Sequence, residues 1–468
     1  MFQFHANIRA RGCRTRLRRL LTEITPLLLG VVVSQLICTS SLQAESERPV
    51  NFVIIMADDL GYGDLGCYGG ERSKTPNIDA LATGGLKFLD FHSSGAVCSP
   101  TRAALMTGRY QQRVGVPGVI TAAGHRHIGM PLAEVTFAEV LKEAGYATGM
   151  FGKWHLGYQP KFNPVHQGFD QFRGYVSGNV DFFSHVDQVG KYDWWEGDKQ
   201  IEEEGYVTHL ITKHSVKFIE EHQDRPFCLY VAHEAPHYPY QGPGDKPLRT
   251  VGGKFNNQGA RKDIAQAYKE MVEAMDDGVG EIVAALKKHD LEEDTLVMFF
   301  SDNGANQRGS NGALRGHKGS VWEGGHRVPC LARWPGVIEA GETTDVMTIT
   351  LDIFPTLVEL AGAKHSPQGK IDGVSLAGLL RDQTPLERER LFWGTRRGRA
   401  MRDGDWKLVA AGKGKPMLFD LGEDLAEATD LAGKHPDRAA KMINELGDWE
   451  QEVGPSEFPS AERRRDAN

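Results

Sequence analysis

The stretch PVNFVIIMADDLGYGD, Pro49–Asp64, decides the fold class of this chain. It begins with a run of large or β-branched apolar residues that has no polar alternation, as in a strand buried on both faces of a parallel sheet. Asp58 and Asp59 end the run together, and the glycines that follow predict a loop. The stretch therefore predicts a buried parallel strand that presents polar side chains at its carboxyl end.

The same alternation of strand and helix continues along the chain. Helices are predicted for TPNIDALATGG, FAEVLKEAGY, HSVKFIEEH, AYKEMVEAMDDGVGEIVAALKKH and TLDIFPTLVELAG, and strands for ATGMFGKWHLG, RPFCLYVAHEAPHYP and DTLVMFFSDNG. Such a pattern predicts an α/β fold with a large, mostly parallel or mixed sheet flanked by helices on both faces. Ligands of these sheets gather beyond the carboxyl ends of the strands.

The alternation of strand and helix patterns ends after about Leu379. Short strand-like runs joined by glycine-rich turns, RAMRDGDWKLVAA and GKPMLFDLG, precede the amphipathic segment DRAAKMINELGDWEQEV. They predict a small antiparallel sheet with a terminal helix. We expect a catalytic domain over residues 45–379 and a C-terminal subdomain over residues 380–468.

Residues 1–44 have the pattern of a secretory signal peptide. An apolar run, Leu27–Ile37, lies between a basic segment and small or polar residues that lead to Ala44; the basic residues are Arg9, Arg11, Arg14, Arg16, Arg18 and Arg19. The pattern predicts export, to the periplasm or as a secreted protein. Because the apolar run is too short to cross a bilayer comfortably, we expect no stable membrane insertion after cleavage.

The net charge of the chain limits the classes of ligand that it can bind. Residues 1–44 carry six arginines and one glutamate, so the formal charge of the chain is −8 with them and −13 without them. A chain this acidic is not suited to nucleic acid, which is bound through overall positive charge. An anionic substrate would therefore need cations placed locally at its site.

The cysteines beyond the signal segment, Cys67, Cys98, Cys228 and Cys330, have no CxxC spacing. This spacing indicates neither a zinc site nor a disulfide-dense scaffold. Cys228 and Cys330 lie in apolar strand-like runs and are expected to be buried. The sequence leaves open whether these two form a disulfide.

Carboxylates at two strand ends indicate a metal site. Asp58 and Asp59 follow one predicted strand, and Asp302 and Asn303 follow another. An adjacent aspartate pair alone is also common in helix caps and turns. Two such clusters at strand ends favour a hard cation held by oxygen ligands, calcium or magnesium rather than zinc.

Cations and imidazoles follow further strands. GKWHLG carries Lys153 and His155, HEAPHYP carries His233 and His237, and GALRGHKGSVWEGG carries Lys318 out of register with a Walker motif. Taken singly, each could be a surface lysine or a core histidine. Together with a hard cation and Arg102, they suit displacement at a tetrahedral, multiply charged centre, either phosphorus or sulfur.

Cys98 opens the stretch AVCSPTRAALMTGRY, where a C-x-P-x-R pattern enters a predicted helix. It could be a buried apolar residue, or a thiolate activated by the helix end and Arg102. A thiolate is a poor match for a hard cation among oxygen ligands. An oxygen nucleophile at this position would make better chemical sense.

These motifs, in this order, resemble the formylglycine-dependent, or type I, sulfatases of the alkaline phosphatase superfamily. The resemblance runs from about Pro49 to about Ala432 and is carried by VIIMADDLGYGD, CSPTRAALMTGR, GYATGMFGKWHLG, APHYP, SDNG and GHKGSVWEGG. It implies an alkaline phosphatase-like fold. It also implies that a maturation enzyme oxidises Cys98 to formylglycine during export. The residues that would direct this conversion are Cys98, Pro100, Arg102, Leu105, Thr107, Gly108 and Arg109. Thr101 replaces the commoner serine.

The resemblance also assigns roles in the site. It implies a calcium ion, in preference to magnesium, with ligands Asp58, Asp59, Asp302, Asn303 and the modified Cys98. Arg102 and His155 would hold the aldehyde hydrate, and Lys153, His237 and Lys318 would bind sulfate and protonate the leaving group. In the implied reaction one hydroxyl of the hydrate attacks sulfur, and the other then expels sulfate and restores the aldehyde.

The chain looks most similar to the arylsulfatase and N-acetylgalactosamine-6-sulfatase branch, which implies a sulfated carbohydrate or an aryl sulfate as substrate. Candidate substrate contacts are His185, Trp194, Trp195 and His233, although core packing would explain the aromatic residues equally well. Two alternatives stay open. One is a phosphomonoesterase or phosphodiesterase of the same superfamily, and the other is a non-catalytic glycan-binding protein in which Cys98 stays a thiol.

Overall fold

The computed structural model of the protein describes residues 48–253, 261–364 and 369–458. The expected signal segment, residues 1–44, lies outside the described residues. From Pro49 onward the chain forms one compact unit. No helix within the described ranges is long and apolar enough to cross a membrane.

Sixteen strands are assigned in the described part of the chain: β1 (Asn51–Ala57), β2 (Leu86–Phe88), β3 (Phe91–His92), β4 (Ala147–Lys153), β5 (Gln171–Tyr175), β6 (Trp195–Glu196), β7 (Lys199–Gln200), β8 (Phe227–Ala232), β9 (Thr295–Ser301), β10 (Cys330–Arg333), β11 (Glu342–Thr344), β12 (Thr348–Ile349), β13 (Arg390–Thr395), β14 (Gly398–Asp403), β15 (Trp406–Ala411) and β16 (Met417–Asp420). The α-helices assigned there are α1 (Pro76–Thr83), α2 (Cys98–Thr107), α3 (Phe137–Glu143), α4 (Val207–Glu221), α5 (Ile264–Lys288), α6 (Glu323–His326), α7 (Ile353–Leu360), α8 (Ala377–Asp382) and α9 (Pro436–Val453).

Ten strands form one mixed sheet in the order β11-β2-β10-β9-β1-β8-β4-β5-β6-β7. Its centre is parallel, since β1 pairs in parallel with both β9 and β8, and β4 pairs in parallel with both β8 and β5. Strand β10 runs antiparallel to β9, and β6 and β7 form an antiparallel edge. The predicted α/β fold with a large mixed sheet is confirmed.

Both faces of this sheet are covered, which explains the unbroken apolar run in β1. Phe52, Ile54 and Met56 pack in one core with residues of α3 and α7. Val53 and Ile55 point the other way and pack with residues of α1, α4 and α5. Because successive side chains of a strand alternate between faces, a strand between two helical layers must be apolar at every position.

The small sheet expected near the C-terminus is also present. Strands β13, β14, β15 and β16 pair antiparallel in sequence order, and α9 packs against β13, β14 and β15. Helix α8 spans the predicted boundary between residues 379 and 380. The division into domains 45–379 and 380–468 stays a prediction.

A buried charge network joins the small sheet to the main domain. Lys407 on β15 is fully buried, and its Nζ lies 2.8 Å from Glu323 Oε1 and 2.9 Å from Glu427 Oε1. The other Glu427 oxygen, Oε2, accepts a 2.8 Å hydrogen bond from the backbone N–H of Glu323. Burial raises the pKa of Glu323, but Lys407 and its other cationic neighbours bring it well below its usual range. The network thus fixes α6, which follows the loop that carries Lys318.

Replacing Lys407 with methionine should destabilise the protein strongly. The change would leave Glu427 buried without its cation and would remove one of the cations around Glu323, which also contacts Arg327 and Arg402. Removing one partner of a buried ion pair typically costs about 3–5 kcal/mol. The free energy of unfolding, measured by urea denaturation, should fall by that order. The control is Lys413→Met on the exposed turn after β15, which should change stability by less than about 0.5 kcal/mol. Equal stabilities of the two variants would contradict the assigned role of Lys407.

Candidate active site

The two carboxylate clusters predicted from the sequence meet at the carboxyl edge of the sheet. Strands β1 and β9 are hydrogen-bonded neighbours that end together at Ala57 and Ser301, so Asp58 and Asp302 emerge side by side. The backbone N–H of Asp59 donates to Asp302 Oδ1 at 3.2 Å, and Asn303 Nδ2 donates to Asp59 Oδ1 at 2.8 Å. All four side chains are buried.

These oxygens fit a divalent cation. Asp58 Oδ1 and Asn303 Oδ1 are buried and have no hydrogen-bond partner among the described residues. One possible ligand atom from each of Asp58, Asp59, Cys98 and His237 lies within 4.8 Å of the others. Unpartnered buried oxygens are costly in a folded protein, and carboxylate and amide oxygens are the ligands of hard cations.

Three cationic side chains partly neutralise the carboxylates. Lys153, the last residue of β4, donates to Asp58 Oδ2. Arg102 donates to Asp302 Oδ2 at 2.9 Å. Lys318 Nζ lies 2.6 Å from Asp59 Oδ1. The site therefore matches each of its three buried carboxylates with one cation.

Two of these carboxyl groups have displaced pKa values. Burial raises the pKa of Asp59, but Lys318 and His237 outweigh it and hold the pKa below its usual range. Burial and the nearby Asp58 carboxylate raise the pKa of Asp302, although Arg102 opposes the shift. The Asp302 shift reflects burial first and repulsion from Asp58 second, and a bound cation would oppose both by stabilising the charged form.

Cys98 is the first residue of α2 and faces the same cluster. Its side chain is buried, and Lys318 Nζ lies 3.3 Å from its Sγ. Burial raises the pKa of the Cys98 thiol to about 11, although Lys153 and Lys318 oppose the shift. A thiol in this environment stays protonated near neutral pH, which counts against the thiolate alternative.

The other three cysteines of the described ranges make no disulfide. Cys67, Cys228 and Cys330 are free, and the last two are fully buried in β8 and β10. Cys228 and Cys330 therefore do not form the disulfide that the sequence left open, and each is a separate buried side chain.

The two predicted site histidines are buried and their atoms are held differently. His155 has a φ of 58°, its Nε2 lies 3.1 Å from the Ile120 carbonyl oxygen, and its Nδ1 has no partner among the described residues. His237 places Nδ1 2.7 Å from the Tyr238 carbonyl oxygen and Nε2 3.9 Å from Asp59 Oδ2. Burial lowers the pKa of both imidazoles well below the usual range, so both are neutral near pH 7.

The four residues predicted to contact the substrate differ in their burial and in their partners. His185 and Trp194 are buried and stack on each other at 4.5 Å, and their ring N–H positions contact Gly205 O and Glu203 Oε2. No contact in the described ranges joins this pair to Cys98. Trp195 is partly exposed and donates to Asp193 Oδ1 at 2.6 Å. His233 follows β8, and burial lowers its pKa to about 4. A role for these residues in substrate binding stays a prediction.

Two residues of the site were missed by sequence reasoning. Asn306 donates to Asp59 Oδ2 at 3.1 Å, and its position four residues after Asp302 in the same loop was an available signal. Gly178 leaves room for the imidazole of His155, since a Cβ at this position would lie 2.7 Å from Nε2. No sequence signal marked that close approach.

Comparison with known proteins agrees with this geometry. The family model described as "Sulfatase" matches residues 50–363, and the model "N-sulphoglucosamine sulphohydrolase, C-terminal" matches residues 317–450. Arylsulfatase A of Homo sapiens is 35% identical over 82% of this chain and 84% of its own. N-acetylgalactosamine-6-sulfatase of Mus musculus is 32% identical over 83% of this chain and 76% of its own.

Solved structures show the same architecture. The crystal structure of Ps i-CgsB has a TM-score of 0.81 and 30% identity, and the match covers 90% of this chain and 98% of that one. A phosphonate monoester hydrolase of Agrobacterium radiobacter shares the fold at a TM-score of 0.62 and 22% identity. The resemblance found in the motifs is confirmed by the family model and by these relatives. The chain belongs to the type I sulfatases of the alkaline phosphatase superfamily, and it is an enzyme that hydrolyses sulfate esters.

Proposed function

We propose that this sulfatase releases inorganic sulfate from a sulfated carbohydrate, or from an aryl sulfate, with a formylglycine made from Cys98 and a bound calcium ion. The observation that carries the proposal is the meeting of Cys98, Lys318 and the paired carboxylates in one buried cluster. Its relatives include an arylsulfatase and an N-acetylgalactosamine-6-sulfatase. Ps i-CgsB, at 30% identity, was also solved in complex with k-i-k-neocarrahexaose.

Calcium would be held by Asp58, Asp59, Asp302, Asn303 and the modified Cys98. The two unpartnered oxygens of Asp58 and Asn303 support this assignment, because each would gain a partner. When bound, the cation supplies positive charge where the sulfate group carries negative charge. Magnesium fits less well, since it demands a tighter octahedral shell than this mixed set of side chains offers.

Formylglycine would supply, as its hydrate, a nucleophilic hydroxyl and a second hydroxyl that lets the aldehyde form again as sulfate leaves. Conversion of Cys98 would require a maturation enzyme acting during export to the periplasm or the outside of the cell. The protonated state of the buried thiol supports the need for this conversion. Arg102 Nε and His155 Nδ1 are buried without partners in the described part of the chain, which leaves both available to hold hydroxyl groups.

Lys318 is the better acid for the leaving group. Its ammonium group lies beside Cys98 Sγ, is partly exposed, and can only donate hydrogen bonds. His237 holds Nδ1 against the Tyr238 carbonyl oxygen, so Nδ1 carries the proton and Nε2 faces the site as an acceptor. Lys153 would then donate to the sulfate oxygens and His237 Nε2 would accept a hydrogen bond from a bound water, while Lys318 Nζ donates its proton to the departing oxygen.

The alternatives are weaker on the same contacts. The phosphoesterases of this superfamily usually assemble two zinc ions with several histidines, whereas this cluster offers mainly oxygen and a single His237. A second group of possible ligands is His92, Glu323 and His326, of which Glu323 and His326 already contact Lys407 Nζ. A non-catalytic glycan-binding protein would leave Cys98 as a thiol, which mass analysis can detect.

Cys98 should be found converted when the protein is made in an export-competent host. Mass analysis of the peptide Ala96–Arg102 should show loss of the thiol sulfur and gain of an aldehyde. Cys98→Ala should release no sulfate while its unfolding midpoint stays near that of the wild type. An unmodified cysteine in active enzyme, or turnover by the alanine variant, would contradict the proposed nucleophile.

Removal of the cation should abolish sulfate release, and calcium should restore it. Calcium should also stabilise the chelated protein against heat, by about 2.7 kcal/mol at a hundredfold excess over the dissociation constant. Asp58→Ala should lose this thermal shift, and the exposed control Asp345→Ala should keep it. Recovery with zinc in place of calcium would show that the assignment of a hard cation is wrong.

Lys318→Ala should slow hydrolysis most for substrates whose leaving oxygen is basic. General acid catalysis is typically worth 10²- to 10⁴-fold, and little of it is needed when the leaving group is a nitrophenolate. The loss in kcat should therefore be at least tenfold larger for a sugar sulfate than for 4-nitrophenyl sulfate. Equal losses of kcat for both substrates would show that Lys318 is not the acid. If the difference in kcat loss between the two substrates is larger for His237→Asn than for Lys318→Ala, His237 is the acid.

A further inference from the structure

A cleft of about 420 Å³ lies next to the reacting groups. One wall consists of Gly95–Val97, which directly precede Cys98, and of Gly319, which directly follows Lys318. A second group of lining residues, the far wall, is Gly394–Arg397, the end of β13 and its turn to β14. A volume of this size falls within the range of small-molecule sites, and nothing described above uses it.

The first wall, Gly95–Val97 and Gly319, belongs to the two loops that carry the proposed reacting residues. The backbone N–H of Gly319 donates to the Ala96 carbonyl oxygen at 2.7 Å, which joins the two loops that carry Lys318 and Cys98. Lys318, the residue before Gly319, places its Nζ 3.3 Å from the Sγ of Cys98, which is two residues after Ala96. A substrate whose sulfate lies at Cys98 can therefore extend its remaining part along this wall.

The far wall presents two arginines without ion-pair partners. Arg396 and Arg397 are exposed, and neither forms an ion pair within the described ranges. Other arginines of the same small sheet are paired: Arg399 with Glu450, and Arg402 with Asp90. In a chain with a formal charge of −8, two unpaired guanidinium groups at the edge of a cleft mark a place for an anion.

The rest of the lining suits a sugar. Phe458 and His125 stack at 4.9 Å and, with Pro117 and Val119, give the cleft an apolar surface for a ring face. Glu457 is the one acidic residue among the described residues that line the cleft. The balance of charge at the cleft stays positive with one carboxylate against two guanidinium groups.

We propose that this cleft is a subsite for a second anionic group of the substrate, a sulfate or carboxylate on the sugar next to the one that loses sulfate. Arg396 and Arg397 bind that group, since a guanidinium fork matches both anions with two parallel hydrogen bonds. The assignment rests on the proposed action on sulfated carbohydrate. It narrows the substrate to a saccharide that carries a second negative charge.

The test compares the turnover of four substrates at fixed salt. They are 4-nitrophenyl sulfate, a disaccharide with one sulfate, the same disaccharide with a second sulfate on the neighbouring sugar, and one with a uronate there. For the wild type, kcat/KM should be at least tenfold higher for a dianionic disaccharide than for the monosulfated one. Whichever dianionic disaccharide has the higher kcat/KM relative to the monosulfated one identifies the second group, as sulfate or as carboxylate.

The double variant Arg396→Ala/Arg397→Ala should bring this ratio close to one, a fall of about tenfold or more that acts mainly through KM, as expected for loss of charge-assisted hydrogen bonds. Arg396→Lys/Arg397→Lys should restore part of it, because the charge returns without the fork. The matched control is Lys413→Ala, which removes one exposed positive charge from the next hairpin of the same sheet, outside the cleft. If the double alanine variant keeps the ratio of this control, the subsite does not exist.

A binding measurement separates failure of the subsite from failure of the proposed function. Titration of Cys98→Ala with the dianionic disaccharide should show binding that weakens at least tenfold when Arg396 and Arg397 are also replaced by alanine. Such arginine-dependent binding without turnover of any sugar sulfate by the wild type would overturn the proposed function and keep the subsite. Turnover of a sugar sulfate by the wild type, with disaccharide binding that does not change when both arginines are replaced, would keep the proposed function and overturn the subsite.

Discussion

The constraint on which the site depends is the burial of three carboxylates at one edge of a parallel sheet. Asp58 and Asp59 leave β1, and Asp302 leaves β9, its hydrogen-bonded neighbour. Unpaired charges cannot be buried at acceptable cost, so other parts of the chain must bring cations to them. Lys153 arrives from the end of β4, Arg102 from α2, and Lys318 from the loop before α6.

That requirement also places the nucleophile. Because Arg102 must reach Asp302, the first turn of α2 lies against the cluster and brings Cys98 with it, and Lys318 touches both Asp59 and Cys98. The same dry environment that makes the charge pairing strong keeps the thiol protonated. A sulfur nucleophile and this pocket are thus poorly matched, and the proposed conversion of Cys98 to an oxygen nucleophile would remove the conflict.

The small C-terminal sheet contributes to the site from outside the main sheet. Through Lys407, Glu323 and Glu427 it fixes α6, and with it the loop that presents Lys318. Through the turn at Arg396 and Arg397 it forms the far wall of the cleft beside Cys98. If the proposed roles of Lys318 and of the two arginines hold, support of the acid and recognition of the substrate come from one small sheet, more than 300 residues from Asp58 in sequence.

The sequence by itself determined the strand in Pro49–Asp64, the alternation that builds the mixed sheet, and the polar clusters at the strand ends. Local patterns suffice for these features because apolar periodicity and strand-end aspartates act over a few residues. Tertiary structure alone decided which cation meets which carboxylate, since the order β9-β1-β8-β4 is a result of long-range packing. It also decided that Asn306 supports Asp59 and that Lys407 is buried against Glu323 and Glu427. Those contacts join residues far apart in the chain, and their energies depend on burial that no local pattern records.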